Sequence, residues 1–426
     1  MSSKLPTSVS LKNILSRHWK TVLILLSITI IYVLFSIKIK GDIFVSTAYS
    51  YYTFLVTSLF HGQLSITSPT IIDLSIFNGK LYLNWGPGPI VFILPFYLFF
   101  GDKTSDVFYT LVAGISNIIL FYLLINEFKK YFQLKISYFS EVFILLSFAF
   151  ASPNLYLSLG GRIWHTEQIV ATFYILLFLL FFLKFLNKNL IEIKFLLLAV
   201  IFFNLAWFSR ATMVFYGMFF FYLMFLIWKL KDSRLFKKSM IIIILPTVIF
   251  ITVFLIYNNL RFNNPLETGL NYHDVNPRYK QLIAGKKIFS VDYIPHNFTQ
   301  YFLNPAFISA EKPYVNINLD GNSIFSAYPV FLLSLFMFRK KFLKDKKIAN
   351  FLGFSFLVIF MNLILLMVYF ATGWTQIGSR YILDILPLVF LFTLFVIEDF
   401  PRLFLFLIFI YGAIINIFGS FIFNYY

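Results

Sequence analysis

Long apolar runs follow one another along almost the whole chain, and they decide most of what it can fold into. They lie near 21–37, 104–126, 139–158, 166–186, 194–210, 211–228, 239–257, 323–338, 349–371, 380–397 and 402–424. A stretch of about 20 apolar residues is the length that crosses a bilayer as a helix. Inside lipid every backbone N–H and C=O must bond within its own segment, so such runs become helices. The apolar residues are continuous and not alternating, which excludes an outer-membrane barrel. Composition agrees: 60% of residues are hydrophobic and only 12% are charged, about half the charge of a soluble domain. The expected fold is all-α, a polytopic membrane bundle of about eleven transmembrane helices forming a single domain over residues 1–426.

The run Ile90 to Phe100 is too short to span and holds Pro95, so a re-entrant or interfacial placement is expected. The first run, Thr21 to Ile37, follows a basic leader and has no small-residue cleavage site after it, so it reads as an uncleaved span. With the N-terminus inside, the inner loops carry Lys129, Lys130 and Lys135, then Lys184, Lys188 and Lys194. The next carry Lys229 to Lys238, then Arg339 to Lys347. This positive-inside pattern accounts for the net charge of +17 without a nucleic-acid partner. Lys38 and Lys40 run against it. Two long segments, about 38–103 and 258–322, then face outward, rich in Tyr, Asn, Pro and Gly and expected to carry interfacial helices. The chain has no cysteine, which excludes disulfides, thiolate metal sites and a cysteine nucleophile.

Ionisable residues in or beside membrane spans cost several kcal/mol unless they are paired or wet. Here they share the outer side. Arg162, His165 and Glu167 lie in GGRIWHTEQ, Arg210 in WFSRAT, and Arg380, Tyr381 and Asp384 in GSRYILD. With Asp42 and Asp73 of the first loop, they are expected to line one polar cavity. Bland alternatives stand beside this: Arg380 pairing with Asp384 four residues on, Arg210 snorkelling to headgroups, Glu167 pairing with Arg162, His165 as a bonded loop histidine and Asp42 as a solvated acid. Arginines with carboxylates suit an anionic ligand and a general base. In GKLYLNWGPGPIVFILPF, Gly86-Pro87-Gly88-Pro89 forces a rigid turn before an aromatic run that would lie at the membrane surface. No nucleotide-type glycine loop, Asp-x-Asp pair or convincing metal spacing occurs, and Asn297-Phe298-Thr299 matches a glycosylation acceptor only as chance matches do.

The segment GKLYLNWGPGPIVFILPF, with YNNLRFNNPLETG (257–269), FSVDYIPHNFTQYFLNPA (289–306) and GSRYILDILPL (378–388), resembles the GT-C superfamily of polyprenyl-phosphate-sugar-dependent membrane glycosyltransferases. The likeness lies with its bacterial mannosyltransferase and arabinosyltransferase-like branch. It implies an acid in the first outer loop, a second in the next, and basic residues at outer helix ends for the lipid phosphate. Asp42 takes the first position and Glu167 the second. Ile43 follows Asp42 where many relatives have a second acid, and Asp42 lies further before Gly62 than the pattern expects, so Asp73 is a rival. Arg210, Arg380 and Arg162 are the expected donor-phosphate ligands. His165, Tyr381, Asp384, Lys80 and Tyr82 are the expected cavity residues.

The function this implies is sugar transfer from a polyprenyl-phosphate donor to a hydroxyl of a glycan, lipid or protein acceptor. It would take place on the outer face of a bacterial cytoplasmic membrane, with inversion in one displacement. The resemblance fixes no cofactor; a divalent cation is compatible with it. Two rivals are a transporter or flippase for a lipid-linked glycan, against which the missing internal repeat counts, and a glycan polymerase or ligase.

Overall fold

A computed structural model describes residues 11–274 and 287–425. Lys4 of the basic N-terminal leader and the 275–286 stretch of the expected second outer loop lie outside these residues. Among those described, seven helices are long and apolar enough to cross a membrane: Trp19–Lys40, Asp106–Phe132, Ile163–Asn187, Ala211–Lys229, Ser233–Phe262, Lys346–Val368 and Arg402–Phe423. They coincide with seven of the eleven expected runs. The other four are shorter or interrupted.

Each interruption has a local cause. The 139–158 run divides into Tyr138–Phe150 and Pro153–Ser158, because Ser152 Oγ accepts from Asn154 N at 3.1 Å and proline opens the new helix. The 323–338 run is cut at Tyr328-Pro329 into Ile324–Ala327 and Val330–Ser334. The 380–397 run begins as a 3₁₀ turn, Arg380–Asp384, before the helix Leu386–Thr393. Every residue of Leu386–Thr393 is buried. Ile193–Ser209 remains one helix of 17 residues.

The first ten helices are α1 (Leu11–Lys40), α2 (Tyr51–Phe60), α3 (Pro89–Phe100), α4 (Asp106–Phe132), α5 (Tyr138–Phe150), α6 (Pro153–Ser158), α7 (Ile163–Asn187), α8 (Ile193–Ser209), α9 (Met218–Lys229) and α10 (Ser233–Phe262). Helix α7 is the centre of the bundle, packed against α4 and α8, with 78% of its apolar window buried. Helix α10 is the opposite case: it leans on α8 and α9 and only 6% of its window is buried. The α8–α10 contact includes a polar bond, Asn204 Nδ2 donating to Thr247 Oγ1 at 3.2 Å.

The molecule has two chemically distinct ends. Helix α4, 27 residues and roughly 40 Å long, runs from one to the other, and α7 runs the same way. At their C-terminal end the basic loops meet. Lys129 pairs with Glu141, Asn187 Nδ2 donates to Glu127 Oε2 at 2.7 Å, and Ser137 N donates to Glu398 Oε1 at 2.8 Å. Arg339 and Lys341 converge on Asp399 at 3.1 and 2.6 Å. The outer-loop segments gather at the other end.

There the first loop holds α2, α3 and a β-hairpin, β1 (Ser75–Phe77) with β2 (Lys80–Tyr82). Asn78 and Gly79 both take positive φ, 49° and 72°, as a two-residue hairpin turn needs. The second loop is stitched to the first. Ser75 pairs with His273 across a β-bridge, Asp274 N donates to Leu74 O at 2.8 Å, and Ser75 Oγ donates to Gly269 O at 2.8 Å. Asn297 is buried, its Nδ2 donating to the carbonyls of Leu366, Met367 and Tyr369 at 2.7–3.0 Å. It serves as a cap on the Lys346–Val368 helix and is closed to glycan attachment.

Candidate functional site

A cavity of about 1180 Å³ opens at the loop end of the bundle. Its walls come from the first loop, the N-terminus of α7, the α8–α9 connection, the end of α10 and the 369–381 segment. The Gly-Pro-Gly turn sets one wall. A β-carbon on Gly86 would run into Phe208 O and lie 2.8 Å from Ser209 O; one on Gly88 would sit 2.6 Å from Ser209 N and 2.7 Å from Leu205 O. The glycines therefore let the loop backbone lie directly on the last turn of α8, and Gly88 N donates to Phe208 O at 3.1 Å. Arg210 is the next residue, so the loop and the arginine share one support.

Arg210 is the hub of a buried ion-pair cluster. Its Nε lies 2.8 Å from both carboxylate oxygens of Asp384, and its Nη1 donates to Glu167 Oε2 at 3.0 Å. Asp384 is 0% exposed at the side chain and also accepts from Thr212 Oγ1 at 2.7 Å; Glu167 is 9% exposed and lines the cavity. Tyr216 OH holds the Asp384 carbonyl at 2.8 Å. Buried charges persist where they are paired and hydrogen-bonded in this way. Two guanidiniums lie against the Tyr381 ring, Arg210 at 5.0 Å and Arg380 at 5.3 Å.

Arg380 is set by the turn before it. Its backbone N–H donates to Gln376 Oε1 at 2.9 Å, and Gln376 Nε2 donates to Asp320 O and Thr372 O at 2.9 Å each. Arg162 has φ 71° and its backbone N–H donates at 2.9 Å to Asp106, a buried acid that also accepts from Thr47 N at 2.8 Å. His165 is buried, edge-on to Tyr156 at 5.0 Å, and its Nδ1 has no hydrogen-bond partner among the described residues.

A second cluster lies on the loop side. Asp73 Oδ2 accepts from Trp164 Nε1 at 2.9 Å, and Asp73 Oδ1 is 3.5 Å from His273 Nε2. Trp85 stands edge-on to His273 at 6.3 Å, and Tyr49 leans on Trp164 at 4.8 Å. All five line the cavity.

The cavity thus brings together Asp73, Arg162, His165, Glu167, Arg210, Arg380 and Tyr381, with Asp384 immediately behind. Three expected members fall elsewhere. Asp42 is exposed and its Oδ1 accepts from Phe44 N at 2.8 Å, closing its own turn; the chain enters the cavity wall only beyond Thr47, which Asp106 holds. Lys80 is exposed on β2. Tyr82 is buried against Phe262, ring centres 5.3 Å apart, outside the cavity lining. Glu167 pairs with Arg210, where the bland alternative offered Arg162. The sequence reading passed over Trp164, His273 and Arg261, which also line the cavity. Arg261 Nη1 donates to Leu83 O and Nη2 to Asn258 Oδ1 at 2.7 Å. Among the described residues, the lining has four arginines (162, 210, 261, 380) against two carboxylates (Asp73, Glu167). Among the described residues no group of three or more His, Asp or Glu is arranged to hold a metal.

No protein-family model and no curated protein matches the sequence. Solved structures do match in shape. The oligosaccharyltransferase of Archaeoglobus fulgidus in its apo form superposes with a TM-score of 0.56 at 13% identity, over 96% of this chain and 57% of that one. The same enzyme, AglB, in complex with an inhibitory peptide and a dolichol-phosphate gives 0.56 at 14% identity, over 97% of this chain and 56% of that one. ArnT of Cupriavidus metallidurans bound to undecaprenyl phosphate gives 0.47 at 12% identity, over 90% of this chain and 61% of that one. This chain spans little more than half the length of the archaeal enzyme, and at this identity what is shared is the fold. What the superposition bears out is a likeness of fold to a membrane oligosaccharyltransferase.

Proposed function

We propose that this chain is a glycosyltransferase that moves a hexosyl or pentosyl group from a polyprenyl-phosphate donor to an acceptor hydroxyl. It would act in a bacterial cytoplasmic membrane with the cavity facing outward. The observation that carries this reading is the cavity itself: arginine-rich, carboxylate-bearing, and at the end of the bundle away from the basic loops. The positive-inside rule turns that end outward. The archaeal enzyme with the same fold has been captured with a dolichol-phosphate, a lipid of the proposed donor class. Val214, Phe254 and Leu365 extend the lining onto apolar helix surface, where a lipid tail would lie.

In this reading the donor phosphate rests on Arg380 and Arg162. Arg210 is committed to Asp384 and Glu167, so its role becomes orientation of the Glu167 carboxylate. Glu167 accepts the proton as the acceptor oxygen attacks the anomeric carbon. The C1–O bond to phosphate breaks with its electron pair on the leaving phosphate, which the arginines stabilise. One displacement inverts the anomeric configuration.

The test is purified protein in lipid, given a panel of radiolabelled polyprenyl-phosphate sugars. Losing one charge-assisted contact costs about 1.5–3 kcal/mol, so Arg380→Ala should weaken donor binding by roughly ten- to a hundredfold, with lysine restoring only part. Glu167→Gln should lower turnover by about a hundredfold and leave donor affinity unchanged. Parental donor binding in Arg380→Ala, together with parental turnover in Glu167→Gln, sinks the proposal.

A further inference from the structure

We propose that the loop-side cluster of Tyr49, Asp73, Trp85, Trp164 and His273 is the acceptor subsite, and that it takes a carbohydrate. This deepens the glycosyltransferase reading and rests on it. The cluster combines two chemistries that a sugar ring needs at once. Aromatic rings offer electron-rich faces to the C–H groups of a pyranose, and Tyr49, Trp85 and Trp164 all line the cavity. The carboxylate of Asp73, held by Trp164 Nε1 at 2.9 Å and flanked by His273 at 3.5 Å, is a fixed acceptor for hydroxyls. Asn84 Oδ1 and Gln168 Oε1, in two further lining residues, are buried and have no hydrogen-bond partner among the described residues. Leaving such groups unpaired costs about 1–3 kcal/mol each, which a polyhydroxylated ligand would offset.

The surroundings disfavour an extended peptide. Peptides often add to a free strand edge. Here β1 is bridged by His273 through Ser75, and β2 by Ile66 through Leu81. Position also fits transfer. Trp164 and Glu167 are three residues apart on α7 and so share a face. A sugar stacked at Trp164 therefore places a hydroxyl beside the proposed base. Its oxygen forms the new bond to the donor's anomeric carbon, its proton passes to Glu167, and the phosphate leaves with the electrons of the broken C–O bond.

The test uses the full chain in nanodiscs, with saturation-transfer NMR against methyl glycosides, plain disaccharides and unglycosylated pentapeptides. Undecaprenyl phosphate binding is measured on the same samples. We expect saturable signals from a subset of the saccharides. Affinity should fall at least tenfold in Trp85→Leu and in Asp73→Asn, while undecaprenyl phosphate binds these variants within twofold of the parent, which also shows that they fold. Saturation by peptides and not saccharides overturns the proposal, as does saccharide binding equal in parent and variants. If saccharides bind as expected but undecaprenyl phosphate does not bind the parent, the donor reading fails and the carbohydrate site stands.

Discussion

Gly88 shows how much of this site hangs on single atoms. A β-carbon there has no room between Ser209 N and Leu205 O, so Gly88→Ala must push the loop off α8 and move Arg210 with it. The cost of such overpacking is about 1–3 kcal/mol. Gly353, on the lipid side of Lys346–Val368, meets nothing within 4 Å, and Gly353→Ala should be neutral or stabilising by up to about 1 kcal/mol. Thermal unfolding in detergent, with turnover on the same preparations, distinguishes the two. A Gly88→Ala protein as stable and as active as the parent would refute the account of that wall. Residue by residue, the sequence revealed types better than neighbours. It collected Glu167, Arg210, Arg380 and Asp384 as one outward-facing set. It did not give their pairing, because Arg210 meets partners 43 and 174 positions away in the chain. Asp42 was misplaced because the path of a loop, which hydrogen bonds such as Thr47 to Asp106 decide, leaves no periodic trace. Trp164 lay in plain sight within GGRIWHTEQ, but a tryptophan beside charged residues carries no signal of its own.

Elements were legible where apolar length alone specifies them. Lipid demands continuous backbone bonding, so α1, α4, α7 and α10 were readable to within a few turns. Buried segments are free to break, since protein and not lipid surrounds them; hence 323–338 and 380–397 fragment where a run of the same composition predicts a helix. The hairpin was legible in principle, through Asn78-Gly79, a turn pair that needs two positive φ values. Helix α3, 12 residues from Pro89 to Phe100, is roughly 18 Å long and so falls short of a bilayer core of about 30 Å. Its placement is checked by cysteines introduced at the exposed Lys103 and Lys130, since the chain has none of its own. A membrane-impermeant thiol reagent should label Lys103→Cys in intact cells and spare Lys130→Cys. The reverse pattern would turn the whole arrangement over.

At the scale of the whole molecule, the chain sorts its chemistry by position: basic loops at one end, a ligand-sized, arginine-lined cavity at the other, and between them helices that differ in what touches them. That difference in burial, 78% for α7 and 6% for α10, also governs inheritance. A residue such as Phe178 on α7, packed against Phe182, Phe203 and Phe219, answers to the shapes of its neighbours; Phe178→Ala should cost about 3–5 kcal/mol. Ile241, Ile244, Leu245 and Val248 on α10 are all exposed and answer only to the oiliness of lipid, which cannot tell leucine from isoleucine. Library variants that shuffle these four among apolar types should retain parental yield and melting temperature, and a collapse of yield would show that another protein, not lipid, covers this face. Descendants of this chain are free to rewrite the exposed face of α10 almost at will and are held to the letter along α7, so the two surfaces would keep very different records of a common ancestry.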